Sequence, residues 1–310
     1  MKIGLIDVDG HNFPNIALMK LSAWHKGKGD IVEWYDPLFS EEMDIVYVSK
    51  VFSFSTDYEY PIRAKKIIFG GSGYCIENID GKEHYNKSKD RELSKDIEHI
   101  YPDYSLYPKL TKNTAYGYLS RGCPRGCDFC HVAEKEGRKA YKCADLKEFW
   151  NGQKNIVLLD PNITACREWK DLFAQLIESN AYVDFSQGLD IRLMNEEKAE
   201  MLKRMKIKRV HFAWDKYEDK EKIIPKFQQF KELTKWDSRK MCVYVLCNFD
   251  ATIDQDLERI YTLRDLGYDP YVMLYNKDGL PKYSDYRKLQ RWVNNRFIFK
   301  TVNRFEEYRG

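Results

Sequence analysis

No stretch of the chain approaches the ~20 apolar residues a helix needs to cross a bilayer, so a helical membrane protein is not expected. An excess of one charge is missing as well. The 51 basic residues face 48 acidic ones, a net charge of +3, and composition gives no case for attraction to nucleic acid or a membrane surface. Cysteine is too sparse for a secreted scaffold, since eight residues in 310 make no dense disulfide framework. No internal repeat or low-complexity tract stands out. The run Met1-Lys2-Ile3-Gly4-Leu5-Ile6-Asp7-Val8-Asp9 is broken by aspartates, so it is not expected to act as a signal peptide. These absences leave a soluble, cytoplasmic protein as the expectation. Its length suits about two domains with a substantial core, at 43% hydrophobic and 15% aromatic residues.

What the chain does have is concentrated in one place. Arg121-Gly122-Cys123-Pro124-Arg125-Gly126-Cys127-Asp128-Phe129-Cys130 has the spacing Cys-x3-Cys-x2-Cys, directly after the strand-like run Tyr116–Leu119. Four irons are ordinarily held by four cysteines, so three thiolates leave one iron of a [4Fe–4S] cluster open to a substrate or cofactor. The competing reading is structural zinc, which wants four ligands. Only one C-x2-C pair is present, and the obvious fourth ligand, His131, directly follows Cys130. Adjacent side chains diverge, so both would reach one tetrahedral ion only with strain.

Strand and helix alternate along the rest. Ile3–Val8, Ile31–Tyr35, Ile45–Val48 and Lys66–Phe69 read as strands, with a helix over Pro14–His25 opened by proline. Residues 80–96 are almost wholly polar and read as a mobile or surface segment. Ile100–Pro108 reads as an extended linker, because each proline holds its predecessor out of the helical region. Further on, strands are expected at Tyr116–Leu119, Ile156–Leu159, Tyr182–Phe185, Arg209–Ala213, Cys242–Leu246 and Pro270–Tyr275. Helices are expected at Leu146–Trp150, Glu168–Ser179, Glu196–Met205, Lys220–Leu233 and Ile253–Leu266, the last with capping-box spacing at Thr252 and Gln255. The pattern is α/β. It divides into 1–110, a small doubly wound parallel-sheet (Rossmann-like) domain with linker; 111–276, six β/α units; and 277–310, a C-terminal helical segment.

The cysteine spacing, its glycines, the aromatic Phe129 before the last cysteine and the six β/α units together resemble the radical S-adenosylmethionine (SAM) superfamily over residues 114 to about 276. The resemblance implies a partial (β/α)6 barrel and a [4Fe–4S] cluster on Cys123, Cys127 and Cys130. It also implies SAM bound at the open iron and cleaved reductively to methionine and a 5′-deoxyadenosyl radical, with electrons from a small donor such as flavodoxin or ferredoxin. Phe129 would pack on adenine. Asp160 and Asn162 stand where the family contacts the SAM amino group, although its frequent Gly-Gly-Glu is missing. Gln187 or Asp190 would hold a ribose hydroxyl, and Arg192 would pair with the SAM carboxylate through its fork. Capping and turn formation are the competing roles for these Asp and Asn residues; Asp250, near Thr252, reads as a cap. The other five cysteines, Cys75, Cys143, Cys166, Cys242 and Cys247, read as buried thiols rather than a second cluster.

The N-terminal domain resembles, in degenerate form, the cobalamin-binding domain found in one branch of that superfamily. Asp9-Gly10-His11, Ser49-Lys50-Val51 and Gly70-Gly71 keep the family's order, but Pro14 replaces a glycine and Val51 a leucine. His11 would then be the lower cobalt ligand; otherwise the domain is a scaffold without cobalamin. Tyr283–Tyr308 interleaves Arg287, Lys288, Arg291, Arg296, Lys300 and Arg304 with Trp292, Phe297, Phe299 and Phe305. That pattern fits RNA contact or a helix closing the barrel with aromatics inward, and the closing helix is preferred. The implied function is hydrogen abstraction from an unidentified substrate. A cobalamin-dependent methyl transfer and a non-catalytic zinc- or cluster-containing RNA-binding module are the alternatives. Cys75 stands alone in its domain and no cysteine follows Cys247, which disfavours methylthiotransferases and peptide-modifying members with cysteine-rich extensions.

Overall fold

Lys2–Asp7 forms strand β1 in the computed structural model, which describes residues 1–10, 12–79 and 82–310. Helix α1 (Ile16–Gly27), β2 (Ile31–Trp34), β3 (Met43–Ser49) and β4 (Ala64–Gly70) follow, and the four strands pair in parallel in the order β2-β1-β3-β4. Asn15 caps α1 by accepting the Leu18 N–H at 3.2 Å, so Pro14 lies ahead of the cap and not in the first turn. Leu18 and Leu21 pack on Ile3 and Leu5. The opposite core, Ile6, Tyr35, Met43, Val46 and Val48, is joined by Tyr58 and Ile62. Those two residues come from the 50–63 connection, which forms no helix. The domain is therefore parallel but wound by a helix on one face only, because a stretch with four aromatic residues, Ser53, Ser55, Asp57 and Pro61 has no helical repeat.

Residues 82–98 are more structured than their polarity implies. Strands β5 (Ile76–Ile79) and β6 (Lys82–Tyr85) form an antiparallel hairpin, followed by α2 (Lys95–Glu98). The expected linker is also not extended. Asp103 accepts the Ser105 N–H at 3.1 Å and starts a turn over Tyr104–Leu106, and the Tyr107 hydroxyl donates to Asp7 at 2.7 Å. These side-chain bonds offer the backbone a turn that the prolines alone do not dictate. Next come α3 (Pro108–Thr111), β7 (Thr114–Gly117), β8 (Ser120–Arg121), α4 (Val132–Glu136), β9 (Tyr141–Lys142) paired with β8, and β10 (Asn155–Leu158). The expected helix at Leu146–Trp150 is a single tight turn over Leu146–Glu148.

The chain divides into two units, 1–157 and 158–310. That division does not coincide with the segments 1–110, 111–276 and 277–310, and each unit is taken by itself. The second unit alternates α5 (Trp169–Ser179), β11 (Tyr182–Phe185), α6 (Glu196–Arg204), β12 (Lys206–Ala213), α7 (Lys220–Thr234), β13 (Met241–Cys247), α8 (Ile253–Asp265) and β14 (Asp269–Leu274), then α9 (Asp285–Asn294) and α10 (Arg296–Thr301). Its strands follow the order β14-β13-β12-β11 in a parallel sheet. One face of β11–β14 carries Phe185, Phe212, Val243, Val245 and Val272, all buried. Phe173 of α5 meets Phe185, and Phe227 and Phe230 of α7 meet Phe212 edge-on at 6.0 and 5.0 Å. Edge strand β14 is covered by α9, where Asn294 donates to the Val272 carbonyl and accepts its N–H. Trp292, Phe299 and Phe305 bury together, while Phe297 stays exposed. Three of the four interleaved aromatics thus serve packing. Among the described residues no helix is long and apolar enough to cross a membrane.

Phe212 is wholly buried among three aromatic rings. Phe212→Ala should lose about 3–5 kcal/mol of unfolding free energy through lost transfer and an unfilled cavity. Urea unfolding checks this; a loss under about 1 kcal/mol would mean the site collapses freely.

Candidate functional site

The cysteine segment lies in the loop between β8 and α4 and is held at both ends. Glu136 accepts the Gly122 N–H and an Arg121 Nη1 bond, each at 2.9 Å, and Arg121 reaches Glu98 at 3.2 Å. Arg121 also lies over the Tyr118 ring, 4.0 Å from its centroid. Burial works against the Arg121 charge, but Tyr118, Glu136 and Glu98 keep its pKa above the ordinary value. Gly122 has φ +80°, and a Cβ there would collide with the Lys139 carbonyl, so only glycine lets the loop turn this close to the chain. The Cys123 N–H donates to Gly137 O at 3.1 Å, and the Cys130 N–H to Cys127 O at 3.0 Å.

All three cysteines are half-buried, as is Phe129. Among the described residues no three His, Cys, Asp or Glu side chains gather around one metal ion. That geometry concerns a single ion, whereas a four-iron cluster takes each thiolate on a different iron. Three soft donors on a tightly turned, partly open loop fit such a cluster. Cys166 and Cys242 are different: burial pushes their thiols up to about 11 and about 12. They are buried thiols, as are Cys75 and Cys247.

In the second unit the expected residues line up at the carboxyl ends of the strands. Asp160 and Asn162 are both buried after β10. Asn162 Oδ1 accepts the Thr164 hydroxyl at 2.7 Å, and Thr164 Oγ1 accepts the Asp190 N–H at 3.2 Å, a chain that ties the ends of β10 and β11. Asp190 caps the following turn through the Arg192 N–H and also accepts Arg192 Nε at 2.8 Å. Arg192 Nη1 donates to Asp219 at 2.9 Å. Two of the three nitrogens of its fork are therefore held by the chain. Gln187 is exposed at the same edge. Thr252, not Asp250, caps α8, through the Gln255 capping box.

Two groups at or near this edge, Arg259 and His211, were not anticipated as site residues, and Asp215 stands among the polar residues expected at the strand ends. Arg259 on α8 is wholly buried and donates to the carbonyls of Trp214 (2.5 Å), Asp215 (2.7 Å) and Leu246 (2.7 Å), and pairs with Asp256. It fastens the ends of β12 and β13 together. Asp215 at the end of β12 is pushed up to about 6 by burial, opposed by Arg259 and Arg192 and reinforced by Asp219 and Asp250. On the sheet face opposite Phe212, His211 Nδ1 donates to Phe185 O at 3.1 Å and its ring stacks on Tyr244 with centroids 5.2 Å apart. Burial lowers the His211 pKa and raises that of Asp184, 3.5 Å away.

His11 lies outside the described residues. At the other cobalamin-like positions, Ser49 Oγ accepts the Asn15 amide at 2.8 Å. Gly71 has φ +97°, and a Cβ there would strike the Lys50 carbonyl. The chain itself requires that glycine.

Asp215 holds its proton at a pKa near 6 when folded, against an ordinary 3.8. Its stabilising contribution is then complete below about pH 4 and lost as pH rises through about 6. Relative to wild type, Asp215→Asn should gain up to about 3 kcal/mol between those limits. Urea unfolding of both proteins from pH 4 to 7 reads this, and a gap that stays constant with pH counts against the shift.

No protein-family model matches the chain, and no curated protein matches it.

Proposed function

We propose that the chain is a radical SAM enzyme that cleaves S-adenosylmethionine reductively and abstracts hydrogen from a substrate yet to be identified. The observation that carries this reading is the Cys-x3-Cys-x2-Cys spacing on a glycine-turned loop anchored by Arg121 and Glu136. Cys123, Cys127 and Cys130 would hold a [4Fe–4S] cluster, which when bound supplies the electron that splits SAM. A small reductant such as flavodoxin or ferredoxin would deliver that electron. The parallel strands are read as the partial (β/α)6 barrel of the superfamily, supported by the sequential order of β11–β14 and the helices on one of their faces.

The chain's own groups would bind and orient SAM. Asp160 and Asn162 are assigned to its amino group, Gln187 or Asp190 to the ribose and Phe129 to adenine. Arg192 is assigned to the carboxylate through the Nη2 that neither Asp190 nor Asp219 occupies. His11 as a cobalt ligand gains no support, and methyl transfer through cobalamin is set behind hydrogen abstraction.

Anaerobically reconstituted protein should carry about four irons and four sulfides per chain, and with reductant and SAM should release 5′-deoxyadenosine. Cys123→Ala, Cys127→Ala and Cys130→Ala should each abolish that product. Stoichiometric zinc without iron, or unchanged product from all three variants, would sink the proposal.

A further inference from the structure

The first unit contains a cavity that the radical reading does not use. It lies where β1 and β2 end, and its volume is about 560 Å³, within the range of small-molecule sites. In parallel sheets the crevice outside the carboxyl ends of the strands is the usual place for a ligand. Here the third wall comes from the 50–63 connection, the segment that replaces a helix.

The chemistry of the lining is one-sided. Tyr35, Tyr58 and Tyr60 contribute aromatic side chains and Glu59 a carboxylate; Trp34 and Asp7 also line it, but the Trp34 ring meets Tyr107 edge-on at 5.4 Å and Asp7 accepts the Tyr107 hydroxyl at 2.7 Å. Asp57 also contributes, but it is paired with Lys50 at 2.7 Å. Among the described lining residues none is Lys, Arg or His. The Tyr58 and Tyr60 rings cross at 64° with centroids 5.6 Å apart, so they are not stacked face to face. Tyr35 is pinned at its outer end, its hydroxyl donating to Pro61 O at 3.2 Å and accepting the Arg63 N–H at 2.7 Å.

The Tyr58 hydroxyl is buried and has no hydrogen-bond partner, a costly state for a polar atom. Burial also raises its pKa; the atom is shut off from solvent, so the rest of Tyr58, and not its hydroxyl, lines the cavity. Aromatic faces attract cations through the ring quadrupole, most strongly when water is excluded. The carboxylates repel an anion.

We propose that this cavity binds a small organic cation, a quaternary ammonium or a protonated amine. The shared chemistry covers a free metabolite and a methylated lysine side chain of another protein. The proposal is independent of the cluster and of the radical reaction.

Titration calorimetry on the full-length chain tests it with choline, with its uncharged isostere 3,3-dimethylbutan-1-ol, and with a short trimethyl-lysine peptide. Choline or the peptide should bind saturably, and the uncharged isostere at least about tenfold more weakly than choline. Tighter binding by the peptide would identify a protein as the source, and tighter binding by choline a free metabolite. Tyr60 is mostly exposed, so Tyr60→Leu should keep the far-ultraviolet dichroism of wild type while weakening choline about tenfold. Glu59→Gln should weaken it in the same direction. Equal affinity for choline and its isostere would overturn the proposal, as would no saturation by either cation up to about 10 mM, beyond the weak end of specific affinity.

Discussion

The handedness of the β-α-β crossover governs the second unit. A strand, a helix and a parallel strand connect right-handedly in nearly every case. When strands follow one another in sequential order, as β11 to β14 do, each helix must fall on the same face. The apolar rows of Phe185, Phe212, Val243 and Val272 are packed by helices, and the opposite row is not. There the sheet carries Asp184, Arg209, His211, Tyr244 and Asp269 instead. Those polar residues are nonetheless partly buried: burial lowers the His211 pKa and raises that of Asp184, while Arg209 pairs with Asp269. The order of the strands thus decides where chemistry is possible.

Arg259 then fixes the edge at which that chemistry would occur. Its guanidinium is taken fully out of water, where its charge must be compensated; among the described residues Nε has no hydrogen-bond partner, and the two terminal nitrogens make all of its bonds. Three backbone carbonyls and Asp256 accept from it. These acceptors come from the ends of two strands and from α8 itself, so one side chain holds strand ends that otherwise diverge into loops. Lysine has no planar fork and would not span the same set. The consequence reaches Asp215, whose carbonyl is held while its carboxyl remains in an environment that resists ionisation.

The elements of the second unit were legible because their periods are clean. Tyr182–Phe185 was read to the residue, and Ile253–Asp265 nearly so, since Thr252 and Gln255 mark its start and the apolar repeat marks its face. The loop carrying Cys123, Cys127 and Cys130 was legible as a motif. Less visible were features set by contacts distant in sequence. The turn at Tyr104–Leu106 starts locally at Asp103, but the Tyr107 hydroxyl just beyond it reaches Asp7, one hundred residues away. Arg259 sits at an ordinary helical position and gives no local sign of burial. One signal was present and went unread. A parallel strand covered on both faces reads as a continuous apolar run, yet β12 alternates Arg209, Val210, His211 and Phe212. That alternation already sets one polar face against one apolar face.

The charges at the strand ends carry the reasoning one step further. Asp215 feels Asp219 and Asp250 as well as Arg192 and Arg259, Arg192 feels Asp190, Asp215 and Asp219, and Arg259 pairs with Asp256, five carboxyls against two guanidiniums. Burial and mutual repulsion hold Asp215 high, and Arg192 is already divided between Asp190 and Asp219. Such a cluster is short of positive charge. A ligand that brings a cation would relieve the repulsion and lower the Asp215 pKa, whereas one that brings only a carboxylate must compete for a single nitrogen of Arg192. S-Adenosylmethionine carries a sulfonium and an ammonium against one carboxylate. If the chain binds it as proposed, its cationic groups, more than its carboxylate, would be what the strand-end residues hold.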